Sequence, residues 1–280
     1  MILQYITWNV DPEIINVFGF SLRYYGILFV SGLILCLYLL NWIFKQEEIP
    51  VENLDLLSTY GMIGILVGAR LGHCLFYEPS YYLSHPLEMI LPFTFAEEVG
   101  IQFIGYRGLA SHGGALGILI ALYFYARKTK HGLLDIMDLI AVVAPLACGF
   151  IRLGNFMNSE IIGLPTLQPW GVIFERVDQV PRHPAQLYEA FAYFLIFIIM
   201  INLYKRERKR FNSGFFFGLV LVLCFTARFI IEFVKENQVG FEDAMRLNMG
   251  QLLSLPYLAI GLGFIIYGLR KRGFGGEGLA

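Results

Sequence analysis

Four polar side chains crowd into "RLGNFMNSEIIG", residues 152–163, directly after the apolar run "LIAVVAPLACGFI": Arg152, Asn155, Asn158 and Glu160. A second arginine, Arg228, lies in "ARFIIEFV" with Glu232 four residues on, and His112 opens an apolar stretch in "LASHGGALG". Arginine presents a planar fork of N–H donors that matches phosphate oxygens, and poor solvation strengthens that contact. A histidine in the first turn of a helix is held toward its neutral form by the helix dipole and can accept a proton. Asn155, Asn158 and Glu160, set in a non-helical loop between Gly154 and Gly163, can orient hydroxyl groups without adding positive charge. Residue types alone therefore point to an enzyme or a transporter that handles an anionic lipid.

Each of these residues also has a plainer reading. Arg228 and Glu232 share a helical face at this spacing and could form an internal ion pair. Arg152 could snorkel to a membrane interface, although that leaves Asn155, Asn158 and Glu160 unaccounted for. His73, with no carboxylate close by, reads as a packed histidine, and His85 and His131 read as loop residues. The four cysteines lie inside apolar runs, without metal-ligand or disulfide spacing, and read as packing residues.

The elements that must position these groups follow from composition. Apolar residues make up 57% of the 280 and charged residues 15%, which is far from a water-soluble balance. The chain is an all-α, polytopic integral membrane protein, with candidate spans at about 22–44, 54–77, 109–126, 136–151, 185–204, 214–234 and 252–269. The fourth is short and carries Pro145 and Gly149, so a distorted or re-entrant helix is expected. Residues 1–272 read as one transmembrane catalytic domain and 273–280 as a flexible polar tail. The net charge of −1 gives no reason to expect a nucleic-acid partner. No cleavable signal peptide is expected at the N-terminus.

With seven spans, Lys45, Arg127, Lys128, Lys130, Lys205, Arg206, Arg208, Lys209, Arg210, Arg270, Lys271 and Arg272 fall on one side. That side is cytoplasmic, so the N-terminus faces outward and the C-terminus is cytoplasmic. Arg152 and Arg228 then lie near the outer ends of spans four and six. His112 lies at the outer start of span three, Tyr25 at that of span one, and Gln186 and Glu189 at that of span five, with Arg70 in the outer half of span two. Ionisable groups are costly in hydrocarbon and persist chiefly where they line a pathway or a reaction site, so their convergence at one depth is informative. Gly113, Gly114 and Gly117 leave room for another backbone or a lipid chain to approach.

These same stretches resemble the prolipoprotein diacylglyceryl transferases of the bacterial inner membrane. "RLGNFMNSEIIG" is similar to that family's signature, and "RYYG", "GARLGHCLFYE", "SHGG", "RHPAQLYE", "ARFIIEFV" and "MGQLLSLP" follow the family's order along most of the chain. The resemblance implies transfer of the diacylglyceryl group of phosphatidylglycerol to the lipobox cysteine of a prolipoprotein signal peptide, releasing glycerol phosphate. It implies His112, Arg228, Tyr25, Asn155, Glu160 and Glu232 as catalytic residues. Arg152, Asn158, Gly163 and Arg70 would bind phosphatidylglycerol, and Arg182, Gln186 and Glu189 are further candidates. Glu232 would orient Arg228. No metal or cofactor is needed, because the lipid is itself the activated donor, and both substrates would enter laterally from the lipid bilayer. The chain departs from the family pattern at Ala69, where glycine is common, and in the short segment between Gly163 and Arg182. A lipid transporter would instead show inverted repeats or a polar path to the cytoplasmic side, and a seven-helix receptor would bind without turnover.

Overall fold

The structure, a computed structural model, describes residues 5–17, 20–91, 93–94, 102–103, 108, 110–237, 240, 242 and 245–270; the expected tail lies outside them. Nine α-helices are present among the described residues: α1 (Tyr24–Gln46), α2 (Val51–Phe76), α3 (Pro79–Ser84), α4 (Pro86–Ile90), α5 (Ser111–Thr129), α6 (Leu133–Met157), α7 (Ala185–Glu207), α8 (Phe215–Ile231) and α9 (Met249–Leu269). Six of the helices are long and apolar enough to cross a membrane: α1, α2, α6, α7, α8 and α9. At about 1.5 Å per residue, the 23 residues of α1 reach across a hydrocarbon core of about 30 Å.

The expected span at 109–126 is the helix α5, but it is not among those six. It begins "SHGG" and ends "ARKT", which leaves only its middle continuously apolar. The expected short or re-entrant fourth span is a correction: α6 is one helix of 25 residues with Pro145 inside it, and it continues to Met157. Gly154 and Asn155 therefore belong to the helix and not to a loop. Short strands occupy the connections, with β1 (Ile6–Trp8), β6 (Val172–Phe174) and β7 (Pro181–Arg182) forming a sheet in which β1 and β6 run parallel. β2 (Glu13–Val17) and β3 (Phe20–Arg23) form a hairpin leading into α1, and β4 (Phe93–Thr94) pairs with β5 (Gln102–Phe103). The spans themselves are helical, as expected.

The described chain divides into two compact units, Met1–Ile43 with Met137–Ala280, and Phe44–Ile136. Hydrocarbon is as apolar as leucine, so helices in a bilayer gain little from burying apolar surface against each other and associate through close packing and polar contacts. In the second unit α2 and α5 pack backbone to backbone: a Cβ on Gly72 would lie 2.7 Å from Gly113 Cα, and one on Gly68 2.7 Å from Gly117 Cα. The close approach expected at Gly113 and Gly117 is thus made by a facing set of glycines on α2.

The first unit uses the same device between α8 and α9, where a Cβ on Gly218 would meet the Gly261 carbonyl at 2.7 Å. Phe225 and Tyr257 stack along that contact, with ring centroids 4.3 Å apart. Phe150 of α6 fits over Gly32 of α1, and Phe194 of α7 fits over Gly149 of α6. Asp138, fully buried on α6, accepts hydrogen bonds from the backbone N–H groups of Gly214 (2.9 Å) and Phe217 (2.8 Å). It caps the first turn of α8, where unpaired N–H groups and the helix dipole both favour an anion.

The α2–α5 contact supplies a direct test. A methyl group at Gly117 collides with Gly64 and Gly68 backbone atoms, whereas nothing lies within 4 Å of a Cβ at Gly61 on the same pair of helices. Gly117→Ala is expected to cost about 1–3 kcal/mol through overpacking. Gly61→Ala should be neutral or slightly stabilising. Thermal unfolding of the two purified variants in one detergent measures the difference, and equal midpoints would contradict the seam.

Candidate active site

Four helix ends of the first unit, those of α6, α7, α8 and α9, meet through polar contacts, beginning where α6 stops. The N–H of Ser159 donates to the Phe156 carbonyl and that of Glu160 to the Asn155 carbonyl, both at 3.0 Å, with Ser159 in the left-handed region at φ 57°. This is the paired closure that ends many helices, with serine standing where glycine is usual. It folds Glu160 back over the last turn. The Glu160 carboxylate accepts from Asn155 Nδ2 at 3.3 Å and Asn158 Nδ2 at 3.1 Å. Buried Gln186, in the first turn of α7, donates to the Glu160 backbone carbonyl. Ile161 is also left-handed at φ 57°, an unfavourable conformation for a β-branched residue, so the turn is held by its surroundings.

Arg152 projects from α6 one turn before this closure. Its Nη1 donates to Asn155 Oδ1 at 3.2 Å, and its Nε is 2.8 Å from Glu189 Oε2 on α7. The second contact is an ion pair by charge and distance, although its N–H is not aimed along the line of approach. Glu189 is 1% exposed and faces a second cation, Lys235 Nζ, at 3.6 Å from its other oxygen. Tyr25, in the first turn of α1, lies against Gly154: a Cβ there would be 2.7 Å from the Tyr25 ring. Arg152, Asn155, Asn158, Glu160, Gln186, Glu189 and Tyr25 are therefore brought together.

Arg228 and Glu232 do not form the internal ion pair that the plainer reading of their spacing allows. α8 ends at Ile231, and Glu232 opens a 3-10 turn, Glu232–Val234. The Glu232 carboxylate lies 3.3 Å from Lys235 Nζ and fits against Gly250, where a Cβ would fall 2.6 Å from Oε2. Gly250 belongs to the first turn of α9, which starts at a capping box: Asn248 Oδ1 accepts from Gln251 N at 2.9 Å, and Gln251 Oε1 accepts from Asn248 N at 3.2 Å. Arg228, half-buried, makes no hydrogen bond or ion pair to the described residues, and its Nε is shielded from solvent. Of Arg152, Lys235 and Arg228, only Arg228 lacks a protein counter-charge among the described residues.

Gly163 and Arg182 have a different task. Gly163 N donates to the His183 carbonyl and Leu164 N to the Val234 carbonyl, both at 2.9 Å, and a Cβ on Gly163 would meet the Val234 carbonyl at 2.6 Å. Arg182 binds Asp178, Glu236 (3.0 Å) and the Gly163 carbonyl (3.3 Å). Together they tie three connecting segments over a small core of Phe156, Ile162, Val172 and Phe174, against which Trp8 packs. The Arg182 hydrogen bonds hold the Asp178 carboxyl below its ordinary range, while burial lowers the pKa of His183.

The second unit holds the remaining candidates. Arg70, buried at 4% exposure, donates to the backbone carbonyls of Glu88 and of Met89 (3.2 Å) and lies 4.9 Å from the centre of the Tyr82 ring. Its guanidinium braces α3 and α4. His73 does have a carboxylate nearby, with Nε2 3.7 Å from Glu78 Oε1. His112 is exposed in the first turn of α5. Sequence reasoning missed Lys235 altogether. Its only signal was a position three residues beyond Glu232 at the end of "RFIIEFVK".

Comparison with known proteins gives a single family. The family described as prolipoprotein diacylglyceryl transferase matches residues 12–267. The chain is 52% identical over 271 residues to the phosphatidylglycerol–prolipoprotein diacylglyceryl transferase of Bacteroides fragilis, covering 97% of this chain and 98% of the relative. It is 43% identical over 266 residues to the protein of that name from Tolumonas auensis (95% and 98% covered). The like-named protein of Chloroherpeton thalassium is 41% identical over 269 residues, with 96% of each chain covered.

Two outcomes follow from the geometry. Glu189→Gln leaves Arg152 without its carboxylate and halves the negative charge beside Lys235, which should destabilise the protein by about 3–5 kcal/mol; thermal unfolding reads this directly. The Asp178–Arg182 pair acts on pH. Because the folded Asp178 pKa is lowered, its stabilising effect is complete above the ordinary carboxyl range and disappears as pH falls through the lowered value. Pepsin cleavage between residues 163 and 182 should rise below about pH 4 in the unsubstituted protein. In Asp178→Asn the segment should already be open at higher pH, with this acid step missing.

Proposed function

The chain belongs to the prolipoprotein diacylglyceryl transferase family, and from that premise we propose that the polar end of the first unit is where it grips its lipid. The protein is a multi-pass membrane transferase. It moves the diacylglyceryl group of phosphatidylglycerol to the lipobox cysteine thiol of a prolipoprotein, the first step of lipoprotein maturation. In the proposed arrangement the site faces the outer leaflet of the bacterial inner membrane, with the N-terminus outside, as the distribution of lysine and arginine suggests.

A thiol of ordinary pKa near 8.5 must lose its proton to become the nucleophile. The acceptor that the sequence offers for that proton is His112, in the first turn of α5. The thiolate sulfur then bonds to the terminal glyceryl carbon, the carbon–oxygen bond to phosphate breaks, and glycerol phosphate departs with one more negative charge than it carried in the diester. Arg228 and Arg152 hold the phosphate while this charge develops, where donors fixed in advance are most effective. Asn155, Asn158 and Glu160 orient the headgroup hydroxyls, and Tyr25 lines the same end.

The observation that carries this reading is Arg228: a half-buried cation with no counter-charge among the described residues, one turn from the network that holds Arg152. Arg152 is already engaged by Glu189, so it arrives oriented rather than uncommitted.

The test is an assay with purified protein in phosphatidylglycerol vesicles, a lipobox peptide, and mass spectrometry of the diacylglyceryl adduct. Arg152→Ala and Arg228→Ala should each lower kcat/KM by about a hundredfold or more. Full turnover in both would remove the phosphate grip. His112→Gln should lower the rate near neutral pH by about a hundredfold.

A further inference from the structure

Lys235 takes no part in the steps above, yet at 5% exposure it is buried between two carboxylates, 3.3 Å from Glu232 and 3.6 Å from Glu189. Burying a lysine is costly unless it is paired, so its position calls for a reason. Backbone geometry supplies one. Had α8 continued, Glu232 would share a face with Arg228 four residues earlier. The chain instead tightens into the 3-10 turn Glu232–Val234, in which side chains three apart eclipse, and Glu232 is brought to Lys235. The Glu232 carboxylate also lies at Gly250 in the first turn of α9, where the positive end of the helix favours it. The negative charge of Glu232 is thus doubly engaged away from Arg228.

We propose that Lys235 is a positioning residue for the transfer: by holding Glu232, and by sharing Glu189 with Arg152, it keeps the Arg228 guanidinium available for the phosphate of the lipid. This rests on the reading of Arg228 as a phosphate grip. Remove the lysine charge, and the buried Glu232 carboxylate loses its cation, while Arg228, four residues earlier in the chain, carries no counter-charge among the described residues. An internal ion pair then competes with the substrate. Such competition acts on the free enzyme, so it raises KM more than it lowers kcat.

Kinetics in phosphatidylglycerol vesicles with a lipobox peptide decide the matter for the full-length chain carrying K235M, K235R, E232Q or K235M/E232Q, with R228A run alongside. K235M should lose roughly tenfold to a hundredfold in kcat/KM for phosphatidylglycerol, mostly in KM. K235R, which keeps the charge, should stay within about threefold of the unsubstituted protein. K235M/E232Q should match E232Q alone within about threefold, because a neutral amide does not capture Arg228. A lysine that merely supports the fold predicts the opposite, since K235M would then cost the same factor in either background. That result, or a K235M as active as the unsubstituted protein, overturns the proposal. Should K235M fail to accumulate, the two E232Q variants decide alone: equal kcat/KM supports the proposal, and a further loss of about tenfold on adding K235M overturns it. Full activity in R228A would instead sink the reading of Arg228 itself, whatever Lys235 does.

Discussion

A carboxylate shielded from solvent between two cations is the constraint on which the polar end of the first unit depends. Glu189 faces Arg152 from α6 on one side and Lys235, beyond α8, on the other. Neither cation could be buried as a lone charge, and the carboxylate could not be buried without them. The ends of three helices must therefore arrive together or not at all. Around this centre the other contacts fall into place: Asn155 and Glu160 extend the network along α6, and Glu232 extends it to α9.

The same constraint divides labour among the basic residues. Arg70 and Arg182 are spent on backbone carbonyls and acidic loop residues and hold connecting segments in place. Arg152 is half committed, and Arg228 is uncommitted among the described residues. For a reaction whose leaving group gains charge, this gradation matters. Cations already neutralised by protein carboxylates contribute direction, whereas an unneutralised one contributes attraction.

Much of this was legible in the sequence. Apolar runs bounded by charge gave the long helices, because hydrocarbon leaves the backbone few alternatives to a helix. The glycines of "SHGGALG" signalled a close helix contact, but their partners on α2 were unreadable, since facing registers are set by three-dimensional packing. The cluster in "RLGNFMNSEIIG" was recognisable by type. Its geometry was not, because a serine at the left-handed position disguises a helix closure that glycine would have announced. The plainer reading of the Arg228–Glu232 spacing, an internal ion pair, fails for a related reason. Spacing arguments assume that a helix persists, and α8 changes its winding at that point. The capping box Asn248–Gln251 could have been read from its N-x-x-Q pattern. Asp138 could not, because its partners lie 76 and 79 residues away.

The cap at Asp138 carries one more implication. α8 is pinned at its first turn by that carboxylate, and just past its last residue by the contact of Lys235 with Glu189 on α7. Between two such pins a helix behaves as a ruler with a fixed number of divisions. Gaining or losing a single residue would swing every later side chain by about 100° around the axis, Arg228 among them. Substitutions on the exposed flank of α8 leave that phase unchanged, whereas a change in its length does not.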